Sequence, residues 1–166
     1  MSHTVTRSRR FSRIAAGPTV AAAATATTLL GAAPASAATP ILVRMSGTTM
    51  IITGTTIGDR ASTSGTTSTV IAASSSGPVA AGTGCQQSDA AVLCFGVSSI
   101  RFSGRSGNDV FRNETAVPSD LFGEAGNDQL IGGSGRDFIR GGGDQDAASG
   151  QGGIDDCIAE IVSTCE

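Results

Sequence analysis

The chain has 166 residues, enough for one domain, and carries eleven cations, all arginine, against fourteen acids, a net charge of −3. Its one histidine is His3, and Lys, Trp and Tyr are absent, which removes most of the usual acid–base and nucleophilic repertoire. The acidic balance repels phosphate and attracts cations, which argues against a nucleic-acid partner.

The first expected element is an export signal. Arg7, Arg9, Arg10 and Arg13 come before any acid, an Ala/Thr/Leu-rich stretch runs to Ala33, and Ala35-Ser36-Ala37 supplies the small residues of a cleavage site. A membrane-spanning helix is the competing reading, but Gly17, Pro18, Gly31 and several threonines dilute the stretch, and no basic flank closes it. Arg9-Arg10 matches a twin-arginine signal only in part, so the route of export stays open. The sequence thus predicts a signal peptide over residues 1–37, cleaved near Ala37, and a secreted mature chain with no membrane span. Cleavage takes four of the eleven cations, the only histidine and none of the fourteen acids, which moves the net charge from −3 to −7.

Residues 38–103 are poor in charge and rich in Thr, Ser, Val and Ile. Apolar, β-branched runs at 41–45, 50–53, 69–73, 92–95 and 97–102 predict short strands. The Ser/Thr/Gly clusters ASTSGTTST (61–69) and SSSGP (74–78) read as turns or a flexible linker. GTTIGDRAS at 54–62, with Gly54 first and Asp59 sixth, hints that this part contains degenerate coils of whatever follows; a separate small sandwich is the alternative.

From Gly104 onward Gly and Asp dominate. GEAGNDQLI, GGSGRDFIR, GGGDQDAAS and GQGGIDDCI follow one another without a gap over 123–158, and GRSGNDVFR at 104–112 is a fifth copy. The first place is Gly104, Gly123, Gly132, Gly141 or Gly150. Gly107, Gly126, Gly135 or Gly153 stands fourth, and Gly133 and Gly142 stand second. The sixth place is Asp109, Asp128, Asp137, Asp146 or Asp155, and the eighth is apolar or small: Phe111, Leu130, Ile139, Ala148 or Cys157. Glycine permits tight turns of positive φ, carbonyls and carboxylates are the donors that calcium takes, and a thin apolar row cannot fold such a segment unaided.

This pattern resembles the glycine-rich nonapeptide of the RTX, or haemolysin-type, calcium-binding repeat family. The resemblance implies a mainly β fold, a parallel β-roll or β-solenoid, in which six residues of each repeat make a calcium-binding turn and three a short strand. It implies Ca²⁺ as the ion, held by the aspartates and glycines just named.

Two nonapeptides complete one coil, so stacked turns lie eighteen residues apart. That pairs Asp128 with Asp146 and Asp137 with Asp155. Asp109 precedes Asp128 by nineteen and joins the first row if the half-coil 113–122, which lacks the pattern, absorbs one extra residue with Leu121 in its core place. Asp137 then has no metal partner beneath it, and at most three sites form. Arg105, Glu124 and Gln151 in second places and Asp144 in a fourth put side chains where left-handed backbone is needed.

Four cysteines in an exported chain predict disulfides, and of three connectivities the spacing favours the local pairs Cys85–Cys94 and Cys157–Cys165. Zinc would need four thiolates at unusual spacing. The Asn113-Glu114-Thr115 sequon is read as an accident of composition. The sequence therefore divides into a signal (1–37), a Ser/Thr-rich β segment (38–103) and a calcium β-roll with a disulfide-capped tail (104–166). The expected function is that of a secreted, non-enzymatic calcium-binding module, structural or interacting with an extracellular or cell-surface partner. The alternatives are a small hydrolase that uses its acids and a calcium-dependent adhesion module; no Gly-x-Ser-x-Gly elbow supports the hydrolase.

Overall fold

The computed structural model describes residues 38–165, so the expected signal peptide lies outside the described residues. Every regular element among them is a strand, as the Thr/Val/Ile-rich composition and the absence of helical periodicity require. In chain order these are β1 (Ile41–Ser46), β2 (Thr49–Thr53), β3 (Arg60–Thr66), β4 (Thr69–Ser74), β5 (Val79–Ala81), β6 (Cys85–Ser88), β7 (Ala91–Phe95) and β8 (Ser99–Ser106). They continue as β9 (Val110–Asn113), β10 (Ser119–Ala125), β11 (Gln129–Gly133), β12 (Asp137–Gly143), β13 (Ala147–Gln151), β14 (Asp156–Ile158) and β15 (Ile161–Ser163).

The strands form two mixed sheets, ordered β14-β12-β10-β8-β2-β1-β5 and β15-β13-β11-β9-β3-β4-β7-β6. From β8 on, the chain alternates between the sheets and each strand pairs in parallel with the one two elements later. The offset is nineteen residues at Phe102↔Leu121 and Phe111↔Leu130, and eighteen at Leu121↔Ile139 and Leu130↔Ala148. Because Ser119 pairs with Ile100 at nineteen but with Asp137 at eighteen, the extra residue is absorbed between β9 and β10.

The parallel stacking does not extend through the N-terminal part, which is expected from the sequence to be less regular and whose pairings are mixed. β1/β2, β3/β4 and β6/β7 are antiparallel because short hairpins join them, and β4/β7 is antiparallel although the chain between them crosses to the other sheet for β5, which pairs in parallel with β1. These hairpins belong to the same two sheets: β2 and β3 stack in parallel beneath β8 and β9 with an offset of fifty residues. GTTIGDRAS is thus a further coil, separated from the next by a hairpin excursion. ASTSGTTST is corrected, since most of it is strand β3; its inward residues are Ala61 and Thr63, too small and polar to give an apolar signature. β8 begins at Ser99, later than the run at Val97 suggested, and extends to Ser106.

Strand alternation sends one row from each sheet into a shared interior. At its wide end are Ile41, Val43, Met50, Ile52, Val70 and Val92, all essentially inaccessible. Phe102 and Phe111 stack face to face at 4.4 Å between ring centroids. Above them the core narrows to Leu121 and Leu130, then Ile139 and Ala148, and finally to half-buried Cys157. Both local disulfides are present. Cys85–Cys94 joins directly opposed residues of β6 and β7, and Cys157–Cys165 ties β14 to the tail after β15.

Candidate metal centres

The turns leading from one sheet to the other line up as two rows. Along the first row Asp59 N–H donates to Asp109 Oδ1 (2.7 Å), Asp109 N–H to Asp128 Oδ1 (2.8 Å) and Asp128 N–H to Asp146 Oδ1 (2.9 Å). Along the second, Ser119 N–H and Oγ donate to Asp137 Oδ1 (2.8 and 2.6 Å), and Asp137 N–H to Asp155 Oδ1 (2.9 Å). Side-chain carbonyls run the opposite way on the outside of the first row: Asn127 N–H donates to Asn108 Oδ1 and Gln145 N–H to Asn127 Oδ1, each at 3.0 Å. The aspartates therefore stack in the pairs that the repeat spacing predicts, including Asp109 with Asp128 across the longer interval. Ser119 stands beneath Asp137, where the first row has an acid.

One oxygen of each carboxylate is thus spent on the neighbouring coil. The other is not: Oδ2 of Asp109, Asp128, Asp137 and Asp146 is buried and has no hydrogen-bond partner. A buried carboxylate oxygen without a donor or cation is costly, and the titration behaviour reflects it. Burial, with neighbouring acids adding repulsion, raises Asp109 from 3.8 to about 7 and Asp128 to about 6. Asp137 is raised too, chiefly by burial.

The glycines fit the same need. At Gly123 a Cβ would run into Asp128 Oδ2 and would lie 2.7 Å from the carbonyl oxygen of Gly141 in the next coil. First-place Gly104, Gly132, Gly141 and Gly150 face the Oδ2 of their own Asp109, Asp137, Asp146 and Asp155 in the same way. Second places are left-handed whatever the residue: Arg105, Glu124 and Gln151 have φ of 78, 80 and 72°, alongside Gly133 and Gly142. In fourth places Gly107, Gly126 and Gly153 are left-handed, Asp144 follows them at φ 75°, and Gly135 departs from the set. The Asp144 side chain is exposed, so it strains the turn without adding a buried carboxylate.

Among the described residues no three His, Cys, Asp or Glu side chains converge. A cation here would be held by one or two carboxylates and otherwise by backbone carbonyl oxygens, the donor class of a hard ion such as calcium rather than of zinc. The orphaned Oδ2 atoms and the carbonyls packed against side-chain-free turns fit that ion.

Residues 121–156 match the family model of the RTX calcium-binding nonapeptide repeat, in four copies. Repeats of this family bind Ca²⁺ and form β-rolls. The match spans less than a quarter of the chain and leaves out Asp109. No curated protein and no solved structure matches the chain.

The nonapeptide register of GTTIGDRAS puts Asp59 in a sixth place, and the structure buries it at the foot of the first row; the fifty residues between it and Asp109 hid only which acid it stacks on. Glu160, Thr164 and Asn113 have roles at these turns that the repeat does not signal. Glu160 accepts the Asp146 N–H (2.9 Å) and Thr164 the Gln151 N–H (2.9 Å), which closes the last coil at separations of fourteen and thirteen. Asn113 is fully buried, with Oδ1 accepting from Thr63, from Thr115 N–H and from Thr115 Oγ1, so its sequon is not an accessible acceptor. No helix among the described residues is long and apolar enough to cross a membrane.

Proposed function

We propose that the chain is a secreted calcium-binding β-roll, a non-enzymatic structural or interaction module that extracellular calcium completes. The observation that carries this reading is the set of buried aspartate Oδ2 atoms with no donor, at turns stacked one coil apart. In it, Asp109, Asp128 and Asp146 on one row and Asp137 and Asp155 on the other hold three ions, one for each stacked pair, with carbonyls from the turns of their glycines. Asp128 lies between two partners and serves two ions. Ser119 offers Asp137 a hydroxyl in place of a carboxylate and ends the second row. Bound calcium supplies the positive charge that the orphaned oxygens lack; the chain's part is to orient those oxygens and exclude water.

The ion-dependent roll is the parallel stack within residues 104–166, and residues 38–103 close its wide end with hairpins. Secretion is supported by the two disulfides, which suit an oxidising compartment, and by the arginine-then-alanine order of residues 1–37. A non-enzymatic role is supported by the use already made of the buried acids: each Oδ1 of Asp109, Asp128, Asp137, Asp146 and Asp155 accepts the N–H of the coil beneath.

Thermal melting and far-ultraviolet circular dichroism of the oxidised chain test this. Three sites at ten times their dissociation constants raise Tm by on the order of 10 °C, with a stronger β signal. Magnesium, which requires a tighter octahedron and sheds water reluctantly, does far less. Identical curves in chelator and in millimolar calcium would overturn the reading.

A further inference from the structure

The first row begins at Asp59, and its turn is built differently from those above. It enters the same ladder: Gly54 N–H donates to Ser103 O (2.8 Å), Val110 N–H to Asp59 O (2.7 Å) and Asp59 N–H to Asp109 Oδ1 (2.7 Å). A Cβ at Gly54 would meet the carbonyl oxygen of Gly104 at 2.6 Å and Asp59 Oδ2 at 2.8 Å, the same cradle as at Gly123. Yet Asp59 Oδ2 is not orphaned. Thr55 N–H donates to it at 2.6 Å, and the Thr55 hydroxyl lies 3.2 Å from Asp59 Oδ1 and 3.1 Å from Ile57 O. The difference lies in the second place of the turn. Arg105, Glu124, Gly133, Gly142 and Gln151 are left-handed there, but Thr55 is not, and its N–H turns inward to the carboxylate.

The second row begins the same way. Asn113, in a half-coil with no Gly/Asp pattern, has Oδ1 accepting from Thr115 N–H (3.1 Å) and from the Thr115 hydroxyl (2.7 Å), while Nδ2 donates to Val117 O (2.9 Å). Asn113 takes the first place of its turn, one residue past the Arg112↔Ile131 pair, and Ser119 takes the sixth, where other turns carry an aspartate. At the foot of both rows, then, the turn is closed by the chain's own donors, directly on the widest part of the core.

We propose that the Thr55–Asp59 and Asn113–Thr115 turns form an ion-independent first layer, which folds without calcium and sets the register on which the ion-dependent coils assemble toward the C-terminus. This rests on the calcium reading and adds a direction to it. Asp109 then meets a preformed N–H from Asp59, and calcium orders the chain upward from there.

Hydrogen exchange of the full oxidised chain tests the proposal. In chelator, the amides of residues 54–63, 99–103 and 113–117 are protected and those of 129–158 exchange freely; calcium protects the latter group alone. Thr55→Val removes the hydroxyl and keeps the shape. It speeds exchange at 59–63 about fivefold in chelator, the effect of losing one buried hydrogen bond, and raises the calcium concentration needed to protect 129–158. Thr55→Ser restores both. Protection of 54–63 that rises with calcium in step with 129–158, or a Thr55→Val chain that exchanges like the parent, would overturn the template and leave calcium binding standing. A chain that calcium leaves unchanged throughout would overturn the calcium reading itself.

Discussion

Residues 41–113 and 119–158 share the same two sheets but hold them together by different means. The first region fills the interior with Ile41, Met50, Ile52, Phe102 and Phe111, joins β6 to β7 by a disulfide, and satisfies the polar atoms of its Thr55–Asp59 and Asn113–Thr115 turns internally, leaving a buried carboxylate oxygen without a donor at Asp109, where the repeats begin. The second offers one modest side chain per half-coil, falling to Ala148 and half-buried Cys157, and leaves carboxylate oxygens buried without donors. Hydrophobic burial is sufficient where the side chains are large. Where the repeat must keep its glycines for the turns and its strands short, burial is scarce and an ion has to supply the difference.

The largest test of that contrast is Phe111→Ala. It removes one ring of the Phe102–Phe111 stack from a fully buried site, and the expected loss is about 3–5 kcal/mol. Since the wide end is taken to be held by burial, melting should show the same loss in chelator and in calcium. A loss confined to calcium-containing buffer would break the comparison.

A smaller effect is expected from pH, and it bears on the narrow region. Asp109 and Asp128 titrate near 7 and 6 in the fold against 3.8 in the free side chain, so the fold retains protons that the unfolded chain releases. The metal-free form is therefore most stable below about pH 4, as far as these groups decide, and loses their contribution as pH rises through 6 and 7. Calcium competes with those protons, so its apparent affinity increases over the same interval. Melting in chelator should fall from pH 5 to pH 8, and calcium should flatten or reverse that trend. A chelated Tm that rises with pH would contradict the assignment of buried, uncompensated carboxyls.

The smallest expected change is at a single turn. Asp144 holds φ 75° in a fourth place where Gly107, Gly126 and Gly153 stand in other repeats, and its side chain is exposed. Asp144→Gly should stabilise the calcium-bound chain by up to about 1 kcal/mol, the left-handed strain offset in part by the freer unfolded glycine. A clear destabilisation on chemical denaturation would mean that the Asp144 carboxylate contributes to a site.

The strands around Val43, Ile52, Ile71 and Leu93 were legible because β-branched alternation is itself the physical cause of a half-buried strand. The stacking of Asp109, Asp128 and Asp146 was legible because glycine and aspartate recur at a period that equals half a coil. β3 was not, since Ala61 and Thr63 bury surface without looking apolar. The role of Asn113 and the partner of Asp59 were hidden for a related reason. The Gly54/Asp59 register was visible, but fifty residues of chain separate each residue from its stacked neighbour, Asp109 for Asp59 and Thr63 for Asn113, and a turn closed by its own threonine needs no further signature. Glu160 breaks the period because the final coil is cut short.

The most direct test is to count ions by calorimetric titration. The account predicts three calcium ions for the chain, two lost in Asp128→Ala, which lies between Asp109 and Asp146, and one lost in Asp155→Ala at the end of its row. At free calcium ten times the dissociation constant, each lost ion removes roughly 1.4 kcal/mol of calcium-induced stabilisation. Equal losses in the two variants would contradict the stacked pairing through Asp128, and a chain that takes up no calcium would contradict the account as a whole.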